Sequence, residues 1–300
     1  MPALPRLKYR ADLQSLAYLA ALPALAAWQW THGLSWWAYG LTLFLTVGVS
    51  VVHHNHTHLR MWRGRWTNRA TDYWITLLQG HPTFVFYPAH IANHHRYKHG
   101  PRDLARTYRF GGDHNHLPGL LWHPVEVAPV LYPLFLTFLG RLYRHHRGAF
   151  WYCMGQYAAL LTFWGVLAWM DPWKMLLFVW IPQAHGLHWL LHTNYLQHAH
   201  ADGRPGLHYA RNFEGWLNPL CFNIGLHVAH HEHGRAHWSE LPTLFERYRP
   251  HIHPALTEPS FGAYWVRNFL LSPFVPSLRS TPRMPPPGAA PARPPHADPI

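Results

Sequence analysis

The chain has 300 residues, of which 49% are hydrophobic, 16% aromatic and 13% charged, against about 25% charged in an average soluble domain. Sparse charge alongside 17 Trp, 15 Tyr and 15 Phe argues for contact with lipid, and two cysteines, Cys153 and Cys221, exclude a disulfide scaffold or a cluster held by thiolates alone. The net charge of +12 predicts attraction to anionic headgroups or acidic carriers and does not by itself point to nucleic acid.

In chain order, four stretches approach the roughly 20 apolar residues that a spanning helix needs: 13–30, 35–52, 151–169 and 173–192. Each is short or interrupted, by Pro23, Gly48, Gly155 or Pro182. Turns at Thr31–Leu34 and Met170–Pro172 pair them into two hairpins. RLKYR followed by an apolar run and Ala24-Leu25-Ala26 resembles a secretory signal, but its removal would leave three spans and awkward orientations. The segment 119–140, with three prolines and Glu126, reads as a helix lying on the interface.

Basic residues set the orientation. Arg6, Lys8 and Arg10 precede the first span, twelve Lys/Arg lie in 53–150, nine follow residue 192, and Lys174 alone sits at a hairpin turn. The positive-inside tendency then places both termini and the central region in the cytoplasm. Tryptophans 28, 30, 36, 37, 169 and 173 cluster at the turns, as an interfacial belt does. Residues 282–299 contain eight prolines and read as a disordered tail. The expected architecture is an all-α membrane protein: four transmembrane helices in two hairpins under a cytoplasmic helical cap, formed by residues 1–281, with a Pro-rich tail at 282–300.

Histidine is the outlier, with 29 copies, and it is clustered. His53, His54, His56 and His58 follow the second span; His90, His94, His95 and His99 come next; Asn194 and His198 follow the fourth span; His227, His230, His231, His233 and His237 close the series. Residues three or four apart share a helix face, so His54 and His58 can grip one ion. By the same rule His90 and His94 share a face, with His95 rotated about 100° from His94. His230 and His231 flank the direction of His227. An H-x(2–3)-H-H cluster can thus serve two ions held close together. Imidazole suits iron, zinc, copper and nickel alike. Glu232 is the only carboxylate inside a cluster, which argues against a carboxylate-bridged bundle and against an H-E-x-x-H protease. All the clusters fall on the expected cytoplasmic side, which makes them the helical cap.

These residues resemble the integral-membrane fatty acid desaturase and hydroxylase superfamily, whose signature is H-x(3–4)-H, then H-x(2–3)-H-H twice, with an N-x-x-x-H element before the last box. All four elements occur here in order, over roughly residues 13–240. The resemblance implies that His54, His58, His90, His94, His95, His198, His227, His230 and His231 are ligands of two iron ions (Fe2+/Fe3+), that the di-iron centre is itself the catalytic group, and that O2 is the co-substrate. His53–His58 also fits the first box. Asn194 would reach one iron through water, and Asn223 to Pro242 resembles the third box with its downstream Trp and Leu-Pro. The implied activity is a fatty acyl desaturase acting on a free, coenzyme A-, carrier- or phospholipid-linked chain. A hydroxylase, ketolase or decarboxylating relative shares the boxes, and a metal transporter or buffer is the reading from a different class. No His-Pro-Gly-Gly occurs, so the implied electron donor is a separate protein such as a ferredoxin or a cytochrome b5-type protein. The implied location is the plasma (inner) membrane.

Around the ligand set, His185, His188 and His192 share one face of the fourth span and read as a tunnel wall or as polar packing. His99, His200, His233 and His237 read as orienting neighbours, because a ligand imidazole needs a partner for its second nitrogen. Asp72, Asp103, Glu214 and Glu240 are candidate partners. His192, His233 and Asn194 are thus expected around the ligands rather than among them. His114, His116, His123, His145 and His146 read as interfacial surface residues. Arg60, Arg63, Arg65 and Arg69 suit a lipid-headgroup face or a carrier's phosphates.

Overall fold

A computed structural model describes residues 6–110, 113–201 and 207–280; the Pro-rich stretch 282–300 lies outside them. The described residues are mostly helical. In order come α1 (Leu13–His32), α2 (Trp36–His58), α3 (Arg65–Gln79), α4 (Leu117–His145), α5 (Arg147–Met170), α6 (Pro172–Met175) and α7 (Ile181–His198). The short helices α8 (Leu217–Leu220), α9 (His227–Glu232), α10 (Leu241–Tyr248) and α11 (Phe261–Trp265) follow. Two-residue strands β1 (Asn212–Phe213) and β2 (Thr257–Glu258) pair in parallel, Asn212 with Thr257. The chain divides into two compact units, one of residues 1–88 and 134–190, the other of 89–133 and 191–300.

In the first unit α1 packs along α2, α2 on α3, and α3 on α5. Lipid tails supply no hydrophobic drive between helices, so close packing and buried polar contacts must hold such a bundle. Both are present. The Tyr18 ring lies so close to Gly48 that a Cβ there would stand 2.2 Å from it. The Gln29 side chain donates to Thr42 Oγ1 at 3.0 Å, and Gln156 Oε1 accepts from Thr83 Oγ1 at 3.1 Å and Phe84 N at 3.3 Å. The breaks come where turns were expected. Gly33, at φ +88°, follows α1, and the Asp171 carboxylate caps α6 by accepting from Trp173 N and Lys174 N. Trp36, Trp37, Trp169 and Trp173 stand 67–88% exposed beside those breaks.

Three helices are long and apolar enough to cross a membrane: α2, α4 and α5. Their apolar windows are 56%, 11% and 17% buried respectively, so α4 and α5 turn most of their apolar surface outward. This departs from expectation in three places, the first being that α1, expected as a span, is not among these helices. Residues 119–140 form part of one 29-residue helix with Pro124, Pro129 and Pro133 inside it, and Glu126 is its only Asp, Glu, Lys or Arg before Arg141. The stretch 173–192, expected as one span, winds instead as α6, a π-helix at Leu176–Trp180, and then α7. Pro182 has no N–H to bond residue 178, and a wider turn just before it relieves that loss.

The second unit has a core of Leu120, Tyr195, Leu196, Ala199, Phe213, Tyr264 and Phe269, all within 1% of full burial. Burying each large side chain contributes about 1.5–3 kcal/mol. The Tyr195 hydroxyl accepts from the His114 amide at 2.6 Å, which ties the approach to α4 to the end of α7.

Candidate metal centre

Four elements carry the clustered histidines. Within the first unit, His54 and His58 lie one turn apart at the end of α2, with ring centroids 4.8 Å apart. His53 is differently engaged: Nδ1 meets the Gln79 side chain at 3.2 Å and Nε2 meets the Thr83 carbonyl oxygen at 3.1 Å. Both of its nitrogens therefore have an oxygen close by within the first unit.

The other seven ligand candidates all belong to the second unit. His90, His94 and His95 ride on a π-helix at Tyr87–His95, the rare winding in which residue i bonds i+5. His198 ends α7. His227, His230 and His231 sit on the six-residue α9, which packs on β1. That strand orients α9: the Asn212 side chain accepts from Val228 N at 3.0 Å. Phe213 N donates to the Gly225 carbonyl at 2.8 Å, an approach so close that a Cβ on Gly225 would lie 2.6 Å from the Phe213 oxygen.

The seven imidazoles sort into two groups, His90 with His95 and His230, and His94 with His198, His227 and His231. Each His-His doublet is therefore split, one ring to either group. The π winding alters the pairing expected for an α-helix. His90 Nε2 stands 3.1 Å from His95 Nε2, five residues on, while His94 turns to the other group. On α9, with ordinary winding, His227 Nε2 meets His231 Nε2 at 3.1 Å, four residues on, and His230 crosses over to stand 3.0 Å from His95 Nε2. The two groups adjoin, since the His95 and His231 rings stack at 4.2 Å.

These distances fit a shared cation better than hydrogen bonds. His227 Nε2 has two imidazole nitrogens close by, His231 at 3.1 Å and His198 at 3.0 Å, and His95 Nε2 likewise has two. A neutral ring nitrogen offers one proton or one lone pair, not both. Metal–imidazole bonds of about 2.1 Å at right angles put neighbouring nitrogens about 3 Å apart. The second nitrogens point the same way. His198 Nδ1 donates to the Tyr209 carbonyl at 2.8 Å, and a carbonyl can only accept, so Nε2 carries the lone pair. His94 Nδ1 donates to Asp103 Oδ2 at 2.6 Å, and His94 Nε2 is buried with no hydrogen-bond partner among the described residues. The residues present fit a metal ion.

Electrostatics keep His198 and His231 neutral. Burial pushes His198 and His231 well below the usual histidine range, and neighbouring imidazoles add to it. Burial opposes ionisation of Asp103, but the adjacent His94 and the Ala105 amide outweigh it and hold the carboxyl below its ordinary value. The Tyr209 hydroxyl and Lys98 Nζ each meet Glu232 Oε1 at 2.7 Å, so the carboxylate next to His231 is paired twice. Tyr209 is a residue the sequence reading missed. It contributes a backbone carbonyl to His198 and a hydroxyl to Glu232, and no residue pattern announces a carbonyl.

The other candidates have partners of their own. The Asn194 side chain donates to the Ala105 carbonyl at 3.3 Å. His192 Nε2 accepts from the Trp265 indole at 3.3 Å, and His233 Nε2 meets the Tyr248 hydroxyl at 2.7 Å. Of the four carboxylates considered, Asp103 reaches one of the candidate ligands, His94, directly. Asp72 is paired with Arg60 and accepts from the Tyr152 hydroxyl at 2.7 Å, Glu214 is paired with Arg249, and Glu240 accepts from the His237 amide at 3.0 Å. His123, expected at the surface, is buried with its ring 4.4 Å from that of Tyr195.

His99 and His200 are held neutral by burial, each lowered to about 3. The unfolded chain takes up their protons near pH 6.5 and the folded chain does not, so stability is full above that pH and falls as acidification proceeds toward pH 3. The expected loss is about 1.4 kcal/mol per pH unit for each ring. Denaturant unfolding of the metal-free chain in detergent between pH 7 and 5 measures it; a flat profile would contradict the burial.

A family model described as "Fatty acid desaturase" matches residues 28–258, a range that contains every histidine discussed as a ligand. A search of curated proteins found no match to the chain.

Proposed function

Because the chain belongs to the fatty acid desaturase family, we propose that it is a multi-pass membrane oxidoreductase that uses O2 and two iron ions to introduce a C=C bond into a lipid or acyl chain. The observation that carries this reading is the splitting of both His-His doublets between two adjoining groups, an arrangement suited to a pair of ions and not to one. His94, His198, His227 and His231 would hold one iron. His90, His95 and His230 would hold the other, and His54 and His58 of the first box are proposed as iron ligands on the family resemblance. Imidazole nitrogen suits several metals; iron is chosen on family grounds. When bound, the iron pair supplies the redox steps that activate dioxygen toward an unactivated C–H bond.

The chain's own residues do the rest. The Tyr209 carbonyl and Asp103 fix the protons of His198 and His94 on Nδ1, which presents both Nε2 lone pairs to one place. Burial keeps the His198 ring unprotonated at neutral pH. In the balanced reaction the acyl chain loses two hydrogens, an external donor such as a ferredoxin or a cytochrome b5-type protein supplies two electrons, and O2 leaves as two waters with two protons from solvent.

Four crossings are the topology proposed: α1, α2, α5 and the stretch from α6 into α7. His94 and His198 share a group, so the chain between them must cross the bilayer an even number of times. α5 and the following stretch make two. Were α4 also to cross, the number would be odd, and the basic turn with Arg141, Arg144 and Arg147 would face outward against the positive-inside tendency. α4 therefore lies against the membrane without traversing it. Termini and metal centre then face the cytoplasm, and the plasma (inner) membrane is the proposed location.

The test is product analysis with the purified, iron-loaded chain, an artificial reductant, a labelled acyl substrate and 18O2. An alkene without 18O is expected. An 18O-bearing alcohol or ketone would replace desaturation with hydroxylation, and a chain that retains no iron and forms no oxygen-dependent product would overturn the enzyme reading.

A further inference from the structure

Outside the metal centre, an exposed cationic face is assembled in the first unit from two distant stretches of sequence. Residues 6–8 run antiparallel beside 61–63: Lys8 N donates to the Met61 carbonyl at 2.8 Å, Arg63 N donates to the Arg6 carbonyl at 3.0 Å, and Leu7 bridges Trp62. This backbone pairing brings Arg6 and Lys8 to the segment bearing Arg63 and Arg65, all four exposed. At the start of α3, Trp66 is 69% exposed, and the guanidinium groups of Arg65 and Arg69 lie 4.8 and 5.0 Å from its ring centre. None of these five cations is paired with a carboxylate among the described residues. Asp72, which could have neutralised them, is buried and bound to Arg60.

The position of this face says what it meets. α2, with 23 residues, is about 35 Å long at 1.5 Å per residue, enough to traverse a hydrocarbon core of about 30 Å. The segment after His58 therefore emerges at headgroup depth, where an exposed indole flanked by cations is at home. We propose that this face binds the phosphates of anionic phospholipids at the boundary where α2 leaves the bilayer. The stacked guanidiniums offer paired donors to a phosphate, and Trp66 reaches the interfacial layer beside them. The backbone pairing with residues 6–8 fixes the N-terminal segment on the same boundary. This rests on reading α2 as a membrane span, which is tested separately by recovery of the chain in the membrane fraction after alkaline washing.

The experiment uses the full chain in neutral detergent micelles doped with phosphatidylglycerol or with phosphatidylcholine, with bound lipid counted by native mass spectrometry. Wild type should retain phosphatidylglycerol in preference to phosphatidylcholine, less so as salt rises. Near an anionic surface each cation is worth about a fivefold change in affinity, so an Arg63→Gln, Arg65→Gln, Arg69→Gln chain should bind about 100-fold more weakly. The corresponding Arg→Lys triple should retain most of the binding, and a charge-matched control, Arg235→Gln, Arg247→Gln, Arg279→Gln, should match wild type. Unchanged histidine-bound metal content in the Gln triple shows that it is folded. Equal lipid retention by the Gln triple and wild type would overturn the proposal. So would finding that the triple loses an acidic protein partner while its lipid retention is unaltered.

Discussion

Replacing His94 by glutamine is expected to abolish turnover, by more than about 100-fold, while the chain still inserts and folds. The magnitude follows from position. Loss of an outer partner to a ligand costs about 10–100-fold in metal affinity or activity, and in the proposed site His94 would offer the ion a nitrogen directly. Glutamine is preferred to alanine because Asp103 is fully buried. Truncation to alanine would strand its charge at a cost of about 3–5 kcal/mol, and lost activity would then be confused with lost fold. The glutamine amide keeps a donor for Asp103 and removes the imidazole lone pair. Product formation, iron per chain and helical content measured together decide the matter. Full activity in His94→Gln would remove His94 from the ligand set.

Asp103→Asn is expected to lower iron affinity and activity about 10–100-fold without unfolding the chain. Asp103 Oδ2 accepts from His94 Nδ1 at 2.6 Å and from the His99 amide at 3.0 Å, and Oδ1 accepts from the Ala105 amide at 2.8 Å. All three neighbours are donors, and an ionised carboxylate satisfies all three. An asparagine must turn its own N–H2 either toward Ala105 or toward His94 and His99 together. If it faces His94, the ring must move its proton to Nε2 and lose the lone pair that a metal would take. If it faces Ala105, two donors collide and the loop around residue 103 shifts. Iron titration separates this from a general loss of fold: raising iron should restore part of the activity of Asp103→Asn and none of that of His94→Gln. Wild-type affinity in Asp103→Asn would show that the carboxylate does not set the tautomer.

Much of this architecture is legible in residue spacing, because apolar runs and His-x-x-x-His intervals report directly on helices and their faces. The breaks at Gly33 and Asp171 fall where small and capping residues predict them. Other features escape for identifiable reasons. The apolar stretch with three prolines reads as a helix and is one, but its prolines and Glu126 hide that residues 117–145 are long and apolar enough to cross a membrane. Spacing in the first box gives no hint that His53 meets Gln79 and Thr83, partners 26 and 30 residues away. The pairing within Tyr87–His95 was read with α-helical periodicity, and a five-residue repeat defeats that assumption. Asp103 stood among four equal carboxylates until the fold singled it out.

The two windings have a bearing on how such boxes change over time. In 90–95 three residues separate the first histidine from the doublet, and in 227–231 only two do. Yet in both the outer histidines meet while the middle one crosses to the opposite group. A wider coil absorbs the additional residue in one box, and the ordinary coil suffices in the other. A one-residue insertion or loss inside a box is thus expected to be absorbed by local rewinding that leaves its three rings in their groups.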